Sequence, residues 1–285
     1  MEDTYTQNGN VQVSLLAFSI GGPVSHFFLT RVVNQEWKDT YIHSYIPIAV
    51  AWSGNNGLPA LLTPPAFNIH FFFPIQASTD ELFKLSRSYA NTYWLSPHEY
   101  VLKDAILIST PTKNYTATAY EELFTDAGYP QGYTQISEFD VDWPAPNVPT
   151  YCFYSLGSPT PLTYVYGDGF PNTQPTQIIY GDGDGVVNKP SLEVCLRWAN
   201  SSHPFNSSVI PGRDHSNITS DLSLQQALGH IVGAPEDPID GKLINHMTGG
   251  DPEIFLFVGG GYLSVLYYTE SLGGGGWQVM IDIFP

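Results

Sequence analysis

The sequence predicts an α/β fold, and three observations carry that expectation. Apolar, β-branched runs alternate with segments of helical pattern along most of the chain. One such run leads at once into a sharp Ser-Ile-Gly-Gly turn and then a helical segment. The 285 residues, 42% of them apolar and 14% aromatic, are also enough to bury a sizeable core.

Taken in order, residues 11–18 form a compact apolar strand, and residues 24–33 read as a helix with Pro23 where the first turn begins, a position at which its missing N–H costs nothing. A polar stretch with Trp37 and Lys38 leads to a second strand at 45–51. Residues 53–98 are rich in Gly, Pro, Asn and Phe with little periodicity, the texture of a long functional loop or lid. A helix over 116–127, strands at 149–155 and 177–180, a helix over 192–198 and a strand at 208–210 follow. The turn PGRDH and a closing helix over 221–232 complete a domain spanning 1–234. The tail, 235–285, has two Gly runs, an aromatic patch and no clear helical period, and its role stays open. No internal repeat is present.

Charge narrows the partners. With 27 acids against 10 bases the net charge is −17, which argues against nucleic acid and fits an acidic compartment. The apolar run at 254–268 is broken by a Gly triplet and falls short of the roughly 20 residues of a spanning helix, so no transmembrane segment is read. The first ten residues, MEDTYTQNGN, have neither a basic start nor an apolar core, so no signal peptide is read there. Four glycosylation sequons, at Asn114, Asn200, Asn206 and Asn217, and two cysteines able to form one pair nevertheless point outside the cytosol.

A nucleophile elbow places serine on a strained turn between strand and helix, with small residues around it. AFSIG fits, with Ser19 as the nucleophile, Ala17 in the first small position and Gly21 in the second. Ser-x-Gly also occurs at Ser155 and Ser271, but only Ser19 lies between an apolar strand and a helix. Activating a serine requires a histidine, and the histidine requires a carboxylate to fix its tautomer. In α/β-hydrolases these follow in the order Ser, Asp, His. The chain offers Asp184 in IIYGDGDGVVN and His215 in PGRDH. Taken singly, Asp184 is equally an ordinary solvated turn residue and His215 a surface histidine. A calcium loop starting at Asp182 fails, because Val186 and Val187 stand where a ligand and a Gly belong.

Together the segments AFSIGG, WKDTYIHSYIPIAVAWSGN, ILISTPTKNYT, YCFYSLGSPTP, YGDGDGVVN and PGRDH resemble, in order, the lecithin:cholesterol acyltransferase family, with its lysosomal phospholipase/transacylase branch nearest in pattern. The resemblance covers residues 1–234. It implies an α/β-hydrolase fold: a mixed, mostly parallel sheet with helices on both faces. It implies Ser19 as nucleophile, Asp184 as orienting acid with Asp182 as a supporting turn residue, and His215 as base. The Ile20 N–H becomes an oxyanion donor, Trp52 lines the acyl pocket, and Cys152 pairs with Cys195. Two departures stand out: Ala51 and Ser53 flank Trp52 in place of the family's Pro-Trp-Gly-Gly, and Phe18 replaces the His often found before the serine.

The activity implied is serine-dependent acyl transfer from a glycerophospholipid to a lipid alcohol or water, without cofactor or metal. It would take place at a membrane or lipoprotein surface to which the protein attaches peripherally, outside the cell or in the lysosome. Other readings are a protease-like serine hydrolase using the same triad, and a catalytically incompetent fragment or pseudoenzyme that only binds lipid. In the resembling fold, strands that precede the nucleophile strand flank it, and one of their loops supplies the second oxyanion N–H. About ten residues precede position 11, so those strands are expected to be missing, the nucleophile strand to have an open edge, and the isolated chain to be an incomplete catalyst.

Overall fold

The computed structural model describes residues 1–63, 79–139 and 142–232, and the backbone of three further strands between 253 and 283. The strands are β1 Val13–Phe18, β2 Ile42–Ile48, β3 Ile108–Ser109, β4 Asn114–Tyr115, β5 Thr150–Tyr154, β6 Ser158–Val165, β7 Gln177–Gly183, β8 Phe205–Val209, β9 Glu253–Val258, β10 Tyr262–Thr269 and β11 Gly276–Ile283. The chain divides into two compact units. One comprises Met1–Trp52, Trp143–Gly157 and Cys195–Pro285, the other Ser53–Asp142 and Ser158–Val194.

The first unit holds a mixed sheet in the order β11-β10-β9-β1-β2-β5-β8, in which β1, β2, β5 and β8 run parallel. A strand inside a sheet covered on both faces reads as a continuous apolar run, and Val13, Leu15, Leu16 and Ala17 of β1 are accordingly buried. The parallel register sets Ser14 opposite Ser44, and their hydroxyls satisfy each other at 2.8 Å in the interior. Leu16, Ile46, Ile48, Phe153, Ile218, Leu224 and Leu228 share one core, so the nucleophile strand and the closing helix Leu222–Ile231 pack into the same apolar cluster.

One expectation is corrected here: the edge of β1 away from β2 is not open, because β9 pairs with it antiparallel, from Val13 with Val258 to Ala17 with Ile254. The tail, whose role the sequence leaves open, contains the strands β9, β10 and β11, and the apolar run at 254–268 supplies β9 and most of β10. No described helix is long and apolar enough to cross a membrane.

The second unit has its own sheet, β4-β3-β6-β7, and its own core around Leu61, Leu107, Tyr115, Leu123, Phe124 and Tyr166. The stretch read as a lid over 53–98 belongs to this unit and carries the short helices Pro59–Leu62, Thr79–Ser88 and Ala90–Trp94, while 64–78 lies outside the described residues. A helix not anticipated from sequence, Gln35–Tyr41 of the first unit, is capped by the Asn34 side chain, which accepts from the Trp37 N–H at 2.8 Å.

Cys152 of β5 is bonded to Cys195 across a sequence separation of 43. In the chain-entropy account a loop of that size stabilises the fold by about 4 kcal/mol. Replacing both cysteines by alanine should therefore lower the urea midpoint and steepen the transition as the unfolded chain is freed to expand. An unchanged midpoint would mean that the bridge contributes nothing to stability.

Candidate active site

The site is built at the end of β1. After Phe18 the backbone turns through Ser19 at φ 51°, a left-handed conformation uncommon for any residue but glycine, and then enters the helix Gly21–Phe27. Two main-chain bonds fix this turn: the Ser19 N–H donates to the Ile48 carbonyl at 3.0 Å, and the Gly22 N–H donates to the Ser19 carbonyl at 3.0 Å. Glycine is needed at 22, since a Cβ there would stand 2.2 Å from Val50 Cγ1. The helix and the segment after β2 approach so closely only because that position has no side chain. Ile20 is the residue before this helix and directly follows Ser19, so its N–H lies among the helix's first amides.

His215 sits in the turn after β8. Its Nε2 lies 2.8 Å from Ser19 Oγ, although the two are 196 residues apart in sequence. The imidazole is 6% exposed, and the Phe18 ring packs on it with centroids 5.1 Å apart and planes inclined by 37°. The residue that departs from the family's usual histidine thus supports the histidine at 215.

The turn around His215 is closed by its neighbours. Asp214 Oδ1 accepts from the N–H groups of Ser216 and Asn217 at 3.1 and 2.8 Å. The Ser155 hydroxyl donates to the Arg213 carbonyl at 2.7 Å, which gives the second Ser-x-Gly serine a structural occupation. The third, Ser271, lies outside the described residues. Asp221 accepts from Arg213 Nε at 2.7 Å and caps the closing helix. Bonding from the Ser223 hydroxyl above all, then from Arg213 and the Ser223 and Leu224 amides, pulls its carboxyl down to about 2 against the opposing effect of burial. What this charged cap contributes to stability is complete above the ordinary Asp range near pH 4 and is lost only as pH falls towards 2.

Within the second unit, Asp184 follows β7 and is fully buried, unlike a solvated turn residue. Its Oδ1 accepts from the N–H groups of Val186 and Val187 at 3.0 and 2.7 Å. The glycines beside it have separate reasons. A Cβ at 183 would meet the Val187 carbonyl oxygen at 2.2 Å, and Gly185 has φ 93° with its N–H donated to Thr160 Oγ1 at 2.9 Å. Asp182 is exposed.

Trp52 is 1% exposed and belongs to an aromatic cluster of the first unit. Its ring lies 5.0 Å from Trp198, 5.4 Å from Trp143 and 5.7 Å from His26. His26 stacks on Trp198 with planes 10° apart, and its Nε2 lies 2.7 Å from the Pro144 carbonyl oxygen. The Trp52 indole nitrogen is buried with no hydrogen-bond partner. Trp52, expected to line the acyl pocket, is packed among these rings. All four sequon asparagines, Asn114, Asn200, Asn206 and Asn217, are exposed.

A serine on a strained elbow with an imidazole nitrogen in hydrogen-bond reach is the arrangement of a nucleophile and its base. Comparison with known proteins gives the relatives of the chain. The family model described as "Lecithin:cholesterol acyltransferase" matches residues 1–134 and 128–226. The phosphatidylcholine-sterol acyltransferase of Gallus gallus is 33% identical over 231 residues, covering 79% of this chain and 54% of the relative. That of Homo sapiens is 32% identical over 228 residues, 78% of this chain and 51% of the relative. The lysosomal phospholipase A and acyltransferase of Canis lupus familiaris is 30% identical over 241 residues, 82% of this chain and 57% of the relative. The chain spans about half the length of the curated relatives it matches.

Proposed function

The chain belongs to the lecithin:cholesterol acyltransferase family, and from that premise we propose that it carries the centre of a serine acyltransferase/phospholipase acting on glycerophospholipids. The observation that carries the reading is the 2.8 Å approach of His215 Nε2 to Ser19 Oγ at a strained elbow. Ser19 Oγ attacks the acyl ester carbonyl while His215 takes its proton. The resulting oxyanion is met by the Ile20 N–H. Collapse breaks the ester bond, His215 returns the proton to the departing oxygen, and lysophospholipid leaves with the acyl group on Ser19. A lipid alcohol or water, deprotonated by His215, then takes the acyl group and frees the serine.

In this reading Asp184 holds the tautomer of His215 and stabilises its imidazolium, and Trp52 backs the acyl-pocket wall from within its aromatic cluster. Transfer exceeds hydrolysis to the extent that the site excludes water. The names of the relatives, which specify phosphatidylcholine, sterol and the lysosome, support a phospholipid donor, a lipid-alcohol acceptor and work at a lipid surface outside the cytosol, with glycans on the exposed sequons.

The test is an assay on vesicles of phosphatidylcholine carrying a labelled acyl chain, with and without a long-chain alcohol. Release of lysophospholipid, with label appearing in the alcohol ester or free fatty acid, is the expected result. Binding to vesicles without acyl release would favour a protein that only binds lipid.

A further inference from the structure

A histidine on a turn must be held to within about half an ångström of its working position for its proton transfers to remain efficient, and loops are the least constrained part of a fold. The turn carrying His215 is fastened through the residue two before it. The main chain of Arg213 is held by the Ser155 hydroxyl at the end of β5, at 2.7 Å, and its side chain by Asp221 Oδ2, at 2.7 Å.

Asp221 is itself immobilised. Its Oδ1 accepts from the N–H groups of Ser223 and Leu224 at 2.9 and 3.3 Å as the N-cap of Leu222–Ile231. That helix buries Leu224 and Leu228 in the cluster that contains Leu16 of β1, the strand that leads into Ser19. One carboxylate therefore joins the histidine's turn to the apolar core on which the serine's strand is seated. The Asp221 side chain is 12% exposed and that of Arg213 45%, so the carboxylate end of the pair is the shielded one.

We propose that Arg213 and Asp221 are positioning residues for acyl transfer: their ion pair is a latch that keeps His215 Nε2 in reach of Ser19 Oγ by tying the histidine's turn to the helix packed beneath the nucleophile strand. The inference rests on the reading of Ser19 and His215 as nucleophile and base. Neither latch residue takes part in bond making. Loss of the latch lets the imidazole drift, and displacements of about an ångström at a reacting group cost up to roughly 100-fold in rate.

The test uses the full chain with Asp221→Asn, Arg213→Gln, their combination and Arg213→Lys. Asparagine keeps the carbonyl oxygen that caps the helix, because Asn and Asp cap about equally well, and loses the charged oxygen facing Arg213. The rate at which a fluorophosphonate labels Ser19, and kcat on phosphatidylcholine, should fall about 10- to 100-fold in each single variant. KM should stay near its starting value, the melting temperature should hold in Arg213→Gln and fall only modestly in Asp221→Asn, where the charged cap is lost, the double variant should be no slower than the singles, and Arg213→Lys should recover part of the rate.

In histidine-15N-labelled protein the His215 Nε2 resonance, which senses its hydrogen bond to Ser19, should move in Asp221→Asn. Unchanged labelling rates, or losses that multiply in the double variant, would overturn the latch and leave the nucleophile assignment standing. If the unaltered protein is not labelled at Ser19, the catalytic reading fails. An Nε2 resonance that stays in place in Asp221→Asn then overturns the latch as well.

Discussion

Replacing Ser19 by alanine is expected to lower phospholipid turnover by about 10⁶-fold and to abolish fluorophosphonate capture, and His215→Ala should cost about as much, because nucleophile and base act as one unit. The expectation rests on their 2.8 Å contact and on how little else the change touches: alanine removes one oxygen and leaves Phe18, Ile20 and the Ser19–Ile48 main-chain bond in place. The melting temperature should therefore change little. Steady-state release of lysophospholipid, read alongside a thermal scan, separates loss of chemistry from loss of fold. Residual turnover within tenfold of the starting protein would mean that another group performs the attack.

The second large effect is expected at Asp184. In Asp184→Asn the amide oxygen can still accept from Val186 and Val187, so the turn survives, while the other carboxylate oxygen becomes an NH2 group. An amide there cannot stabilise an imidazolium or hold its N–H, and turnover should drop by about 10⁴-fold. Asp182→Asn is the natural comparison, because Asp182 lies two residues away in the same acidic turn and is exposed. It should change turnover by less than a few-fold. The opposite order, retained activity in Asp184→Asn and loss in Asp182→Asn, would transfer the acid role to Asp182.

The strand-turn-helix elbow around Ser19 was legible because its signal is local. An apolar run, a small-residue turn and a helix start fall within a dozen positions around Ser19, and β1 and Gly21–Phe27 occupy them. Asp184 and His215 were legible only in combination, since acidic Gly-rich turns and surface histidines are common. The supporting contacts were not legible at all. The Arg213 side chain with Asp221, and the Ser155 hydroxyl with the Arg213 carbonyl, join groups whose meeting depends on how β5, β8 and the closing helix are seated.

The strands of the tail are marked in the sequence by its glycines. Gly runs separating 254–258, 262–268 and 276–283 are hairpin punctuation, and a search for helical period cannot register them. The same holds for Asn34, a helix cap written in the sequence before Gln35–Tyr41. The 53–98 stretch failed differently: its helices are short and lean on a core drawn from 58 to 166, so no single window contains their apolar face.

The central claim is that Ser19 carries the acyl group between donor and acceptor. The measurement that tests it most directly is acid quenching of the protein during turnover of phosphatidylcholine, followed by mass spectrometry of the peptide containing Ser19. The account predicts a mass increase of one fatty acyl chain on Ser19 that builds up in the absence of a lipid alcohol, shortens its lifetime when one is added, and is missing in Ser19→Ala. An acyl adduct on a different residue, or product formation through a quench that traps no adduct at Ser19, would contradict it.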